Sequence, residues 1–140
     1  MKQEPFVIER TFNAPVEKLW KAITDKEAMK EWYFDIASFK PEVGFEFEFS
    51  AGSAAKTYIH KCKVTEVINE KKLTYSWRYK GYEGNSFVTF ELFNEGDKTR
   101  LRLTHEGLES FPKEPDFAKE SFAEGWTYII GTSLANFLEK

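Results

Sequence analysis

Residues 57–79 read TYIHKCKVTEVI-NEKK-LTYSWRY, and this stretch decides the fold. The segment 57–68 alternates in character and is rich in β-branched residues, while 73–79 places large apolar side chains at every second position. A period of two residues is typical of a β-strand with one buried face. The polar tetrapeptide 69–72 between the two segments indicates a tight turn. The stretch therefore predicts two antiparallel strands joined as a hairpin.

The same pattern continues on both sides of this hairpin. Upstream, residues 45–49 read FEFEF, which predicts a strand with phenylalanines on one face and glutamates on the other, and 51–55 form a small-residue turn. Downstream, strands are predicted at 86–93 and 99–105, with turns at 81–85 and 94–97. Short strands separated by turns indicate an antiparallel meander.

Helical patterns lie between the first strand and this meander. Residues 5–11 predict that first strand, after which Asn13 is a candidate N-cap and Pro15 an early helix residue. Asp25 is predicted to cap a second short helix that runs through Trp32. Residues 34–44 form a connector that can hold a short strand at 36–39.

The C-terminal part begins with an irregular segment. Residues 107–120 contain Pro112 and Pro115 and show no period, which predicts a loop. Ser121 is predicted to open the last helix, with Glu124 as its capping-box partner. An apolar stripe then follows at helical spacing. It consists of Phe122, Trp126, Ile129, Ile130, Ser133, Leu134 and Phe137.

Composition limits the classes of function. A chain of 140 residues suits one α+β domain, 1–140, and its 14 Phe, 6 Tyr and 4 Trp suit a large core or an aromatic cavity. Interspersed charges with a net charge of −3 argue against nucleic-acid binding. A single cysteine excludes an internal disulfide and indicates a reducing, cytoplasmic location. We expect no signal peptide, membrane span or cofactor, and either a monomer or a homodimer.

Several stretches carry a family resemblance. They are 12–20 (FNAPVEKLW), 30–33 (KEWY), 63–67 (KVTEV), 73–77 (LTYSW), 99–107 (TRLRLTHEG) and 124–126 (EGW). Their order resembles the START-like (SRPBCC) superfamily, and more closely its bacterial branch similar to the C-terminal domain of the Hsp90 ATPase activator (AHSA1-like). The resemblance implies a helix-grip fold. In that fold, a curved antiparallel sheet of about six to seven strands wraps a long C-terminal helix, with two short helices after the first strand.

The resemblance also implies an elongated cavity between sheet and helix. Aromatic and apolar side chains on the inward faces are the candidate ligand-binding residues. They are Phe45, Phe47, Phe49, Tyr75, Trp77, Val88, Phe90, Leu101, Leu103, His105, Trp126, Ile129, Ile130 and Ser133. The alternative is that these side chains fill the interior themselves, as protein cores normally do.

Few residues suggest chemistry. His105 shares a strand face with Leu101 and Leu103, where it is a hydrogen-bonded core histidine or a general base. His60 is in phase with Cys62, and we expect it to be structural or exposed. A zinc site from these three polar residues lacks any supporting spacing motif. Glu46 and Glu48 share a face that we expect to be solvated, and Cys62 is expected to be inert.

Three functions remain open. The first is binding of a small apolar or amphipathic ligand as a carrier or sensor, with loop 107–120 as a gate whose lid side chains are Phe111 and Phe117, or as a static connector. The second is a protein-binding module whose partner is an Hsp90-type chaperone. The third is an enzyme of cyclase or hydrolase type that uses polar cavity residues, with His105 the first residue to test. No shared catalytic motif supports the third.

Overall fold

A computed structural model of the chain describes residues 4–34, 36, 38–52, 57–113 and 117–139. They contain six strands and several helical segments. The strands are β1 Phe6–Phe12, β2 Glu46–Gly52, β3 Thr57–Ile68, β4 Lys72–Tyr79, β5 Ser86–Glu95 and β6 Lys98–Glu106. The α-helices are α1 Val16–Thr24, α2 Lys26–Trp32, α3 Lys119–Tyr128 and α4 Ala135–Leu138. A 3-10 turn, Leu108–Ser110, follows β6, and a π-helical segment, Ile129–Leu134, joins α3 to α4.

The strands form one sheet in the order β1-β6-β5-β4-β3-β2, and every neighbouring pair is antiparallel. Strands β2 to β6 make the predicted meander, and β1 joins beside β6. One face of the curved sheet packs against the C-terminal helical segments, so the predicted α+β helix-grip architecture is confirmed. The buried residues of sheet and helices form one cluster in the middle of the grip.

Strand β3 shows how the period of two positions the inner face. Tyr58, His60, Cys62 and Val64 are buried, and the residues between them are exposed. The pairing with β4 then shifts between Val64 and Glu66, which is a β-bulge. Because the bulge adds one residue, the alternation seen before it does not continue to the end of the strand.

The start of the first helix differs from the prediction. Pro15, not Asn13, holds the N-cap position, in an extended conformation and without a side-chain cap. The Pro15 carbonyl accepts hydrogen bonds from the Lys18 and Leu19 backbone N–H groups, and this sets where the helix begins. The Thr99 hydroxyl donates to the Ala14 carbonyl at 2.8 Å, which ties this entry to β6.

The predicted cap of the second helix is confirmed, because the Asp25 carboxylate accepts from the Ala28 backbone N–H at 3.1 Å. The short strand considered at 36–39 does not form at the positions the structure describes there, namely Ile36, Ser38 and Phe39. The turn predicted at 51–55 is wrong at its start, because Ala51 and Gly52 still pair with β3. The rest of that turn lies outside the described residues.

The last helix begins earlier than predicted. Ala118 is its N-cap, and the Ala118 carbonyl accepts from the backbone N–H groups of Ser121 and Phe122. The capping box predicted for Ser121 and Glu124 is therefore wrong, since Ser121 already lies inside the first turn. The predicted loop 107–120 also contains the 3-10 turn. None of the helices described here is both long enough and apolar enough to cross a bilayer.

Candidate functional site

A cavity of about 420 Å³ lies between the sheet and α3. Strands β2, β3 and β4 form one wall, and α3 with Phe117 just before it forms the other. Its described lining residues are Phe34, Ala51, Tyr58, His60, Trp77, Tyr79, Phe117, Ser121, Phe122, Gly125, Trp126 and Ile129. Ser121 and Gly125 are exposed, so the cavity opens to solvent beside the first two turns of α3.

The lining is aromatic and carries no Asp, Glu, Lys or Arg among these described residues. The rings pack against one another as well as against the void. The Trp77 and Trp126 ring centroids are 5.6 Å apart, and the Tyr79 and Phe117 centroids are 4.9 Å apart. Such a surface offers a flat apolar molecule many contacts and gives a charged group no counterion.

Three of the residues predicted from sequence line this cavity: Trp77, Trp126 and Ile129. The others lie elsewhere, mostly in the packed core. Phe47, Phe49, Tyr75, Val88, Phe90, Leu101, Leu103, His105 and Ile130 are buried, and Phe45 and Ser133 are half-buried. The proposal that these residues contact a ligand stays a prediction.

His105 is completely buried and fully hydrogen-bonded. Its Nδ1 accepts from the Trp126 indole N–H at 3.0 Å, so Nε2 carries the ring proton. Nε2 therefore donates to the Ser86 hydroxyl at 2.8 Å, and that hydroxyl donates to the Trp77 carbonyl at 2.8 Å. Burial lowers the pKa of His105 to about 3, so the ring is neutral. With both nitrogens occupied, His105 holds α3 against β5 and β6 and has no lone pair for a general base.

A second polar pair crosses the core near the end of α2. The Tyr33 and Tyr75 hydroxyl oxygens are 2.6 Å apart, and burial raises the pKa of both phenols. Tyr33 also stacks on Trp126, with the ring centroids 6.0 Å apart. This pair fills the interior next to the cavity and explains why Tyr75 is part of the core.

Ser133, predicted to face a ligand, bonds to the protein instead. Its hydroxyl donates to the Trp32 carbonyl at 2.7 Å and so connects the π-helical segment to the end of α2. The hydroxyl thereby supplies a hydrogen-bond donor to one of the last carbonyls of α2, which have no partner within the helix. Ile129, the first residue of the same segment, lines the cavity.

His60 is the polar residue of the sheet wall that the sequence analysis left out of the site. It is 6% exposed, and its ring stacks on Phe49 with the centroids 4.5 Å apart. Burial lowers the pKa of His60 to about 4, although the Tyr58 and Phe49 backbone carbonyls favour the protonated form. The ring is therefore neutral at pH 7.

Simple signals existed for several of the missed residues. Tyr79 continues the alternation of Tyr75 and Trp77, and Tyr58 and His60 share the phase of Cys62 on β3. Phe122 lies one helical turn before Trp126. Phe34 follows α2 in the connector, where no period applies, so no pattern could have found it.

The carboxylates and the cysteine considered for chemistry lie outside the cavity lining. Glu46 and Glu48 are exposed, as expected, and the Glu48 Oε2 atom lies 3.8 Å from the Lys61 Nζ atom. Cys62 is buried, and burial raises the pKa of its thiol, so it lacks the thiolate character of a nucleophile. Across the part of the chain described, no three His, Cys, Asp or Glu side chains are grouped to hold a metal ion.

The two predicted lid residues, Phe111 and Phe117, are both buried. Phe117 lines the cavity, while Phe111 packs on Tyr79 with the ring centroids 5.2 Å apart. Phe117, two residues before α3, therefore forms part of the cavity wall.

The chain is similar to known proteins both in sequence and in structure. Residues 13–139 match the family described as Activator of Hsp90 ATPase homolog 1-like protein. A search of curated proteins gives no match.

Solved structures with the same fold come from several organisms. Protein MLL2253 from Mesorhizobium loti is 30% identical with a TM-score of 0.78, and the alignment covers 97% of each chain. Protein Mll3558 from Rhizobium loti is 22% identical with a TM-score of 0.82 and 96% coverage of each chain. PFC0360w, an HSP90 activator from Plasmodium falciparum, is 21% identical with a TM-score of 0.74, covering 98% of this chain and 97% of its own.

Proposed function

The chain belongs to the Activator of Hsp90 ATPase homolog 1-like family, and from that premise we propose that it is a cytoplasmic binding protein for a small apolar or amphipathic molecule. The observation that carries the proposal is the cavity of about 420 Å³ with its aromatic lining. This volume lies within the range of known small-molecule sites, roughly 300–1,000 Å³. Its mouth beside α3 gives a ligand a route from solvent.

The lining indicates an uncharged ligand, or an amphipathic one whose polar end stays at the mouth. Moving a charged group from water into this cavity costs free energy, because the described lining offers no counterion. Trp77 and Trp126 instead present ring faces and edges, which favour flat ring systems over branched chains. A carrier or a sensor would both use such a site.

The proposal is tested with N-phenyl-1-naphthylamine, a neutral probe whose fluorescence rises in apolar surroundings. We expect saturable binding of one probe per chain. Gly125→Leu should weaken binding by at least about tenfold, because the new side chain takes space at the mouth. A Cβ at Gly125 meets no atom within 4 Å, so the fold should tolerate the change.

Thr127→Leu is the matched control, because it adds leucine to an exposed position of the same helix outside the lining. It should bind the probe as the unmodified chain does. Absence of saturable binding, or an equal loss in both variants, would contradict the proposal. Native mass spectrometry of protein purified from its own host would then identify any natural ligand by extraction.

A second candidate, regulation of an Hsp90-type chaperone, is favoured by the family itself and by the HSP90 activator among the structures of similar fold. The test is the ATPase rate of a bacterial Hsp90 with and without the chain. Stimulation that Gly125→Leu leaves intact would support this role independently of the cavity. The enzyme alternative has the least support, because the histidine first considered as a base has both ring nitrogens bonded within the core.

A further inference from the structure

His60 differs from a normal core histidine in the use of its ring nitrogens. The ring is fixed on three sides: it stacks on Phe49, and its centroid lies 4.9 Å from that of Trp77 and 4.7 Å from that of Tyr79. These contacts hold one edge of the imidazole in the cavity wall.

The hydrogen bond of His60 defines its tautomer. Nδ1 lies 3.2 Å from the Tyr58 carbonyl oxygen, and a carbonyl can only accept, so Nδ1 carries the proton. The ring is neutral at pH 7 because burial lowers its pKa to about 4. Nε2 therefore holds a lone pair, and no described residue donates a hydrogen bond to it.

An unsatisfied acceptor on a buried side chain requires an explanation, because nearly all such groups in native proteins are paired. Both nitrogens of His105 are hydrogen-bonded, whereas the described residues give His60 a partner at Nδ1 and no donor at Nε2. The acceptor that lacks a donor belongs to the histidine that lines the cavity.

We propose that His60 Nε2 accepts a hydrogen bond from a hydroxyl group of the ligand, so that the ligand is an uncharged, phenol-like aromatic molecule. This inference rests on the proposed function of the cavity. The aromatic lining supplies the ring contacts, and the lone pair selects a donor. A phenolate or carboxylate would bring its own lone pairs against Nε2 and would find no cation among the described lining residues.

The test compares 2-naphthol with 2-methoxynaphthalene, which has the same rings but no O–H donor. Dissociation constants are measured by equilibrium dialysis at pH 7 for the unmodified chain and for His60→Phe. The ratio of the two constants, methoxynaphthalene over naphthol, should fall roughly 2- to 10-fold in the variant, the value of one neutral hydrogen bond. Use of the ratio cancels the difference in hydrophobicity between the probes.

Tyr128→Phe is the control, because it removes a hydroxyl from an exposed ring of α3 outside the lining, and it should leave the ratio unchanged. If His60→Phe binds both probes with the same ratio of dissociation constants as the unmodified chain, the role of His60 is overturned while the proposed function stands. Failure of both probes to bind the unmodified chain overturns both.

A second measurement uses only the unmodified chain and so does not depend on the folding of a variant. An unprotonated imidazole nitrogen shifts its 15N resonance upfield when it accepts a hydrogen bond. Addition of 2-naphthol should therefore move the Nε2 signal of His60 upfield and leave Nε2 of His105 in place. Addition of 2-methoxynaphthalene should not produce that shift, and equal shifts with both probes would reject the hydrogen bond.

Discussion

The two histidines show how position within one sheet decides what the same side chain does. His105 lies near the C-terminal end of β6 between Trp126 and Ser86, and each neighbour has a polar atom within hydrogen-bond distance of the ring. His60 lies among ring faces, with the Tyr58 carbonyl within hydrogen-bond distance of Nδ1 and the Phe49 carbonyl also close to the ring. The hydrogen bonds of His105 connect β6 to β5 and α3. No described residue donates to Nε2 of His60, which lines the cavity.

At the residue scale, we predict that His105→Phe lowers the free energy of unfolding by roughly 1–3 kcal/mol. Phenylalanine fills a similar volume, but the Trp126 indole N–H then becomes a buried donor without its present acceptor. Urea unfolding followed by circular dichroism measures the change.

The double variant His105→Phe/Trp126→Phe provides the control for this interpretation. Removal of both partners should cost less than the sum of the two single changes, because no buried N–H remains unpaired. Additive costs would show that packing, not the hydrogen bond, explains the loss.

At the element scale, the segment after β6 is attached to the turn between β4 and β5. The Ser110 hydroxyl is 2.7 Å from the Asn85 carbonyl oxygen, and it accepts from the Asn85 backbone N–H at 2.8 Å. Gly84 lies directly beneath, where an added Cβ would be 2.5 Å from the Ser110 carbonyl oxygen. This close approach holds Phe111 on the aromatic cluster behind the cavity wall.

We predict that Gly84→Ala is more destabilising than Gly81→Ala, by at least about 1 kcal/mol. Both glycines have positive φ, 104° and 84°, so both substitutions carry backbone strain. Only a Cβ at Gly84 meets another chain segment, since nothing lies within 4 Å of one at Gly81. Thermal unfolding of the two variants measures the difference, and equal shifts of the midpoint would refute the close contact as its cause.

The same elements show which features the sequence could predict. Alternation together with β-branched residues predicted the bounds of β3 correctly, although the alternation itself ends at the bulge after Val64. The predicted Asp25 cap was also correct, since its carboxylate accepts from the Ala28 backbone N–H. Asn13 and Ser121 failed as caps because backbone carbonyls of Pro15 and Ala118 begin those helices without side-chain help. Capping patterns cannot indicate that outcome.

The cavity was harder to predict than the sheet, for a physical reason. Alternation gives the face to which a residue belongs, and Tyr75 and Trp77 were correctly placed on the inner face of β4. Whether an inner residue touches a void depends on how far the helix stands from the sheet at that level. Tyr33, which follows α2, reaches the Tyr75 hydroxyl and fills one level, while the space beside Trp77 stays open.

At the scale of the whole molecule, the interior holds both of the chain's histidines in the neutral form. Their pKa values in the folded chain, about 4 for His60 and about 3 for His105, lie below the value near 6.5 expected when unfolded. As pH falls below about 6.5, the unfolded chain therefore binds protons that the folded chain refuses. The stability due to neutral burial is fully present above that pH and is lost as pH falls toward the folded values.

We predict that the free energy of unfolding drops by roughly 2.5 kcal/mol between pH 7 and pH 5.5, with about half of the drop due to each histidine. Carboxylates contribute little in this window, because their ordinary pKa values lie near 4 and the hydrogen bond from Arg102 lowers that of Glu9 further. Urea unfolding at the two pH values measures the drop. His60→Phe should halve it, since one of the two groups no longer titrates and the hydrogen bonds of His105 remain. An undiminished drop in that variant would mean that the pKa of His60 in the folded chain is close to its unfolded value, which would contradict the burial of a neutral imidazole at this position.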